Sequence, residues 1–164
     1  MLNFERIVDK TTISRTRQIV NIVKEYNPSD DDQRQYLTSI LKFASKGRNT
    51  TYRVLNDASE NIGIFSLSLD KLNDKPCLVI EYLFVKPEFR SIDYNNSGVK
   101  ASAILMGKIV DIAKTIHDQI ELNYIALQLA HDKLIPTYEE LGFEALRVGK
   151  QKFWMGMHID SILG

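Results

Sequence analysis

Between Pro76 and Pro87 the chain runs Cys77-Leu78-Val79-Ile80-Glu81-Tyr82-Leu83-Phe84-Val85, apolar but for one carboxylate. A strand with one wet face alternates apolar and polar residues. A near-continuous apolar run reads instead as a central strand covered on both faces. A loop, KPEFRSIDYNN (86–96), follows it. Next comes an amphipathic helix from about residue 100 to 118, with Leu105, Ile109, Ile112 and Ile116 on one face and Lys108, Asp111, Lys114 and Asp118 on the other. The rest of the chain has to be arranged around this strand–loop–helix unit.

The flanking segments change period along the chain. NFERIVD (3–9) reads as a first strand. Residues 14–26 carry Ile19, Val20, Val23 and Tyr26 at helical spacing. A second helix places Tyr36, Leu37, Ile40, Leu41 and Ala44 on one face and stops near Gly47. Ser29 is its expected N-cap, and Asp30, Asp31 and Asp32 suit the positive end of the helix dipole. Period two then takes over: TTYRVLN (50–56) and NIGIFSLSLDKL (61–72) form an expected hairpin around Asp57-Ala58-Ser59-Glu60. After the long helix come a strand, LNYIALQLA (122–130), and a short helix in HDKLIPTYEELGF (131–143) that stops at Gly142. Two last strands lie in the tail. The order predicts a mixed α/β sheet with helices on both faces.

A chain of 164 residues suggests one domain over 1–164. Its 21 basic and 21 acidic residues cancel, which argues against a broad nucleic-acid footprint but leaves room for a local basic patch. The lone Cys77 forms no internal disulfide, so the chain reads as intracellular and cytoplasmic. The N-terminus has no signal-peptide apolar region, and no run approaches about 18 apolar residues, so no membrane partner is expected.

Ser97-Gly98-Val99-Lys100-Ala101-Ser102 opens the long helix near the end of the central strand. Free backbone N–H groups and the helix dipole collect anions there, and small residues let a phosphate approach; the alternative is a plain Ser/Gly helix cap. Neither a Walker pattern nor G-x-G-x-x-G is present. Glu81, on the face of Val79, Leu83 and Val85, is a candidate general base. Burial in an apolar strand would raise its pKa, and a structural ion pair or hydrogen bond is the alternative. His131 either lines a site or caps the following helix. The three histidines show no metal spacing and Cys77 has no partner, so no metal is expected; Cys77 is expected to pack its strand, with a nucleophilic thiol as the alternative. Trp154 and its neighbours Phe153, Met155 and Met157 read as core or as a dimer face.

Three stretches carry a family resemblance: IEYLFVKPEFR (80–90), SGVKASAILMGKIVDIAKT (97–115) and YIALQLAHDKLIPTYEELGF (124–143). They resemble the GNAT superfamily of acyl-CoA-dependent N-acetyltransferases, in which a strand ending L-x-V-x-P-x-x-R leads to a Q/R-x-x-G-x-G/A turn and a helix. The next strand then leads to a helix ending Y-x-x-x-G-F. Leu83 to Arg90 and Tyr138 to Phe143 match. The turn departs, with Ser97 in place of Arg or Gln and Lys100 in place of a glycine, and Arg90 is an alternative holder of the arginine role. The resemblance implies a GNAT-type α/β fold: a mixed, mostly antiparallel sheet of six to seven strands flanked by about four helices.

It also implies acetyl-CoA as co-substrate. The pantetheine would pair along Leu83, Phe84 and Val85, and the pyrophosphate would lie on Gly98 to Ser102 beside Ser97 and Arg90. Tyr138 would be the acid for the departing thiolate and Glu81 the base. The leading expectation is acetyl transfer to a small-molecule or peptide primary amine in a ternary complex. A GNAT-type toxin acetylating aminoacyl-tRNA ranks behind it, with Arg15, Arg17, Lys46, Arg48, Lys150 and Lys152 as a basic patch. A non-catalytic module binding CoA or a protein is a third reading. A homodimer is common in the family and stays open.

Overall fold

The computed structural model describes residues 2–7, 16–46, 49–90 and 99–163. Among them the chain order is β1 (Asn3–Arg6), α1 (Thr16–Glu25), α2 (Asp31–Ser45), β2 (Thr50–Leu55), β3 (Asn61–Leu72), β4 (Lys75–Val85), α3 (Ala101–Gln119), β5 (Tyr124–Gln128), α4 (Ile135–Glu140), β6 (Glu144–Ala145), β7 (Trp154–His158) and α5 (Asp160–Leu163). Short 3-10 turns cover Pro87–Phe89 and Asp132–Leu134. The seven strands form one sheet in the order β1-β2-β3-β4-β5-β7-β6, with β4 in the middle as the apolar run required. The pairing of β4 with β5 is parallel and the other described pairings are antiparallel, so the expected mostly antiparallel α/β sheet is present. The expected first strand stops at Arg6, and residues 8–15, where the notional helix start falls, lie outside the described residues.

The chain divides into two compact units, and β3, β4 and α3 run through both. The first comprises Met1–Leu67 and Tyr82–Leu105. Helix α1 ends where Asn27 turns left-handed (φ +49°), and Pro28 bars its continuation. The cap of α2 is Asp30, not Ser29: Asp30 Oδ1 accepts from Gln33 N–H at 2.8 Å, and Gln33 Oε1 accepts from Ser29 N–H at 2.9 Å. Gln33 stands three residues beyond Asp30, so this reciprocal pair sets the register of the cap. Ile19 and Val23 of α1 and Leu37, Ile40, Leu41 and Ala44 of α2 bury against Ile64, Phe84 and Tyr26. The backbones of β3 and β4 meet closely at Gly63, where a Cβ would lie 2.7 Å from Phe84 O.

The second unit comprises Ser68–Glu81 and Met106–Gly164. Here Cys77–Val79 of β4 face Tyr124–Ala126 of β5, and β7 pairs with both β5 and β6. Leu72, Cys77, Val79 and Ala126 form a small core packed by Tyr124, Leu146, Val148 and Trp154, so Trp154 serves the core. Strands β3 and β4 are joined at Asn73 and Asp74, both at positive φ (52° and 62°), the backbone of a type I′ hairpin turn.

Candidate active site

Ladder pairing of β4 with β5 covers Cys77–Val79. Further along β4, side chains take the backbone groups. Lys86 N–H donates to Ile62 O of β3 at 2.8 Å. With a period of two, the N–H and C=O of Leu83 and Val85 therefore point to the opposite edge. There Leu83 N–H donates to Tyr36 Oη at 3.0 Å, and Tyr36 Oη–H donates back to Leu83 O at 3.2 Å. Arg90 Nε–H donates to Val85 O at 2.6 Å, with its Cζ 4.7 Å from the Phe84 ring centroid. Burial pulls the Arg90 pKa down and the Asp30 carboxylate partly offsets it. Arginine still carries its charge at neutral pH. Tyr36 is edge-on to Tyr82 at 5.5 Å, and Phe43 edge-on to Tyr82 at 5.4 Å, so an aromatic bank lies under this edge. Phe84 itself is buried; Leu83 is half-buried.

Ser97 and Gly98 of the phosphate candidate lie outside the described residues. Val99 and Lys100 are exposed, Ser102 is half-buried and Ala101 is fully buried at the start of α3. Lys100 O accepts from Ala103 N–H at 3.0 Å and Ile104 N–H at 3.2 Å, so Lys100 holds the N-cap position. The Ser/Gly cap alternative rests on Ser97 and Gly98 and so lies outside the described residues. Lysine has no side-chain acceptor to turn back on the first helical turn, so it cannot itself cap the N–H groups there.

Glu81 and Tyr138 belong to the second unit. Glu81 is exposed, not buried, because its side chain falls on the uncovered part of its face. Its Oε1 accepts from Ser68 Oγ–H at 2.6 Å across the β3–β4 pair. Tyr138 sits in a Schellman helix end: Phe143 N–H donates to Tyr138 O at 3.0 Å and Gly142 N–H to Glu139 O at 3.0 Å. Gly142 adopts φ +99°, which a side chain resists. The Tyr138 and Phe143 rings meet edge-on at 5.8 Å, the apolar contact that accompanies this motif. Y-x-x-x-G-F is thus a structural device that fixes a tyrosine ring against a buried phenylalanine. Burial also pushes the Tyr138 phenol pKa up.

His131 is exposed and opens the Asp132–Leu134 turn with no side-chain capping bond. Cys77 is buried, burial raises its thiol pKa, and its thiol donates to Lys75 O at 3.3 Å, which suits packing and not attack. Among the described residues no group of His, Cys, Asp and Glu side chains is arranged to hold a metal ion. Sequence reasoning missed the bond of Tyr36 to Leu83: its helical spacing put it on the apolar face of α2, and nothing local signals a partner 47 positions away.

No family model matches the sequence, and no curated protein matches it. Solved structures do match its fold. AtaTR bound with AcCoA superposes with a TM-score of 0.73 at 14% identity, covering 99% of this chain and 96% of that one. AtaT complexed with acetyl-methionyl-tRNAfMet gives 0.71 at 13% identity, covering 99% and 98%. A KacTA–DNA complex gives 0.71 at 15% identity, covering 99% and 96%. These proteins are GNAT-fold toxins, and the chain has their GNAT-type fold from end to end.

Proposed function

We propose that the protein is a toxin-type GNAT acetyltransferase that moves an acetyl group from acetyl-CoA to the α-amino group of an aminoacyl-tRNA. The observation that carries this reading is the end-to-end likeness to AtaT complexed with acetyl-methionyl-tRNAfMet. The likeness to AtaTR bound with AcCoA supports the donor. The ranking from sequence, with a free primary amine first, is reversed on that ground. Zero net charge is a property of the whole chain and does not bear on local placement. Arg17, Lys46, Lys150 and Lys152 are exposed; Arg15 and Arg48 lie outside the described residues.

The residues present fit such a donor. The outward N–H and C=O groups of Leu83 and Val85 suit a pantetheine arm added like a strand, with Phe84 buried beneath. The start of α3 at Ala101 and Ser102, with the Lys100 ammonium and the Arg90 guanidinium, suits a pyrophosphate. When bound, acetyl-CoA supplies the acetyl group as a thioester. Tyr138 Oη keeps its proton at neutral pH and is the acid for the thiolate. Glu81, held by Ser68, takes the proton of the acceptor amine directly or through water. An α-amino group titrates near about 8 and a lysine ε-amine near about 10.4, so an aminoacyl acceptor places a light demand on that base. Tyr138 is therefore the more critical of the two.

The test is incubation with charged tRNA and labelled acetyl-CoA, with mass spectrometry of the released aminoacyl nucleoside. The expected product is N-acetylated aminoacyl-tRNA, reduced roughly a hundredfold or more by Tyr138→Phe. Label appearing only on small amines overturns the acceptor. No transfer to any amine favours the non-catalytic module. Solved neighbours include a tyrosine-to-phenylalanine mutant of AtaT bound to antitoxin and one of KacT, which makes a single tyrosine a natural first target here.

A further inference from the structure

We propose that Tyr36 gates the β4 edge: its hydroxyl competes with the pantetheine arm of the acyl donor for the backbone N–H and C=O of Leu83. The inference rests on the acetyl-CoA reading above. A ligand that adds to a sheet edge like a strand takes one N–H and one C=O from each facing residue. One phenolic hydroxyl can accept one hydrogen bond and donate one, so it can replace such a ligand at a single residue. Tyr36 does this at Leu83, with bonds of 3.0 Å and 3.2 Å. An arm amide and the Tyr36 hydroxyl cannot both hold that N–H in good geometry, so donor binding at this residue requires Tyr36 to let go.

The release belongs to the side chain. Leu37, Ile40 and Leu41 of α2 are buried to 1% exposure or less, which pins the helix. Tyr36 is 38% exposed, and its ring lies 5.5 Å from that of Tyr82 and 6.3 Å from that of Phe84. Rotation about its own torsions breaks both bonds to Leu83 without moving the core. Apparent donor affinity is then the intrinsic affinity scaled by the fraction of molecules in which Tyr36 is open.

The experiment is calorimetric titration of the parent and of Tyr36→Phe with two probes: acetyl-CoA, and the adenosine bisphosphate half of coenzyme A, which lacks the arm. Tyr36→Phe is expected to bind acetyl-CoA roughly three- to tenfold more tightly, with binding of the bisphosphate unchanged. A variant that binds acetyl-CoA no more tightly, or that changes both probes alike, overturns the gate and leaves the donor reading intact. Failure of parent and variant alike to bind acetyl-CoA overturns the donor reading and the gate with it. If the variant does not fold, nuclear magnetic resonance of the parent decides. Acetyl-CoA is expected to shift both the Leu83 amide and the Tyr36 ring signals; a Leu83 shift with unmoved Tyr36 signals overturns the gate.

Discussion

The phenol of Tyr138 is useful as an acid only while it keeps its proton, and burial holds its pKa above the ordinary tyrosine range. A group of raised pKa stays protonated up to that higher pH, so loss of the acid begins only above about pH 10. The pH–rate profile of acetyl transfer is therefore expected to rise as the acceptor amine deprotonates near about pH 8 and to show no fall from Tyr138 below about pH 10. A falling limb below about pH 9 that vanishes in Tyr138→Phe would contradict this assignment. Glu81 shows where residue-scale reading from sequence stops. Its position in an apolar strand suggested burial, yet it is exposed and takes a hydroxyl from Ser68, because only the packing of other segments decides which part of a strand is covered. Its face and its spacing from Leu83 were legible; its surroundings were not.

Helix ends do much of the positioning. The Tyr138–Gly142–Phe143 motif joins a left-handed glycine, two backbone bonds and an aromatic contact into one local device. Gly142→Ala is expected to cost about 1–2 kcal/mol of stability, since a Cβ resists positive φ. It should also lower kcat with acetyl-CoA affinity unchanged, because Tyr138 loses its seat. Denaturant titration and steady-state kinetics measure the two effects, and a variant of normal kcat would show that the motif only ends the helix. This stop was legible from Gly142 and Phe143 alone. The cap of α2 was misplaced by one residue, because the sequence offers Ser29 and Asp30 side by side and the bond from Gln33 selects between them. The Asn73-Asp74 turn was legible in principle, from two residues that tolerate positive φ.

For the molecule as a whole, each unit holds an acid that must stay neutral. Tyr26 lies in the first and Cys77 in the second; both are buried, and burial raises both pKa values. Unfolding exposes them to water, where they lose their protons at lower pH. Their contribution to stability is present in full below the ordinary thiol and phenol values and is lost as pH rises through the raised ones. Thermal denaturation is expected to show falling stability above about pH 9, shallower in Cys77→Ala than in the parent. A flat profile from pH 8 to 11 would mean that these groups titrate alike in both states.

The sequence by itself determined the kinds of element and their order as far as β7, though not the short α5, together with the central place of β4 and the glycine stop after Tyr138. Each of these depends on residues within a few positions of one another, where period, caps and glycine conformations decide. The tertiary structure alone decided which side chains meet β4. Tyr36 reaches Leu83 across 47 residues and Ser68 reaches Glu81 across 13. Such contacts follow from strand register and from how helices bury their apolar faces, and no local pattern in the chain encodes them.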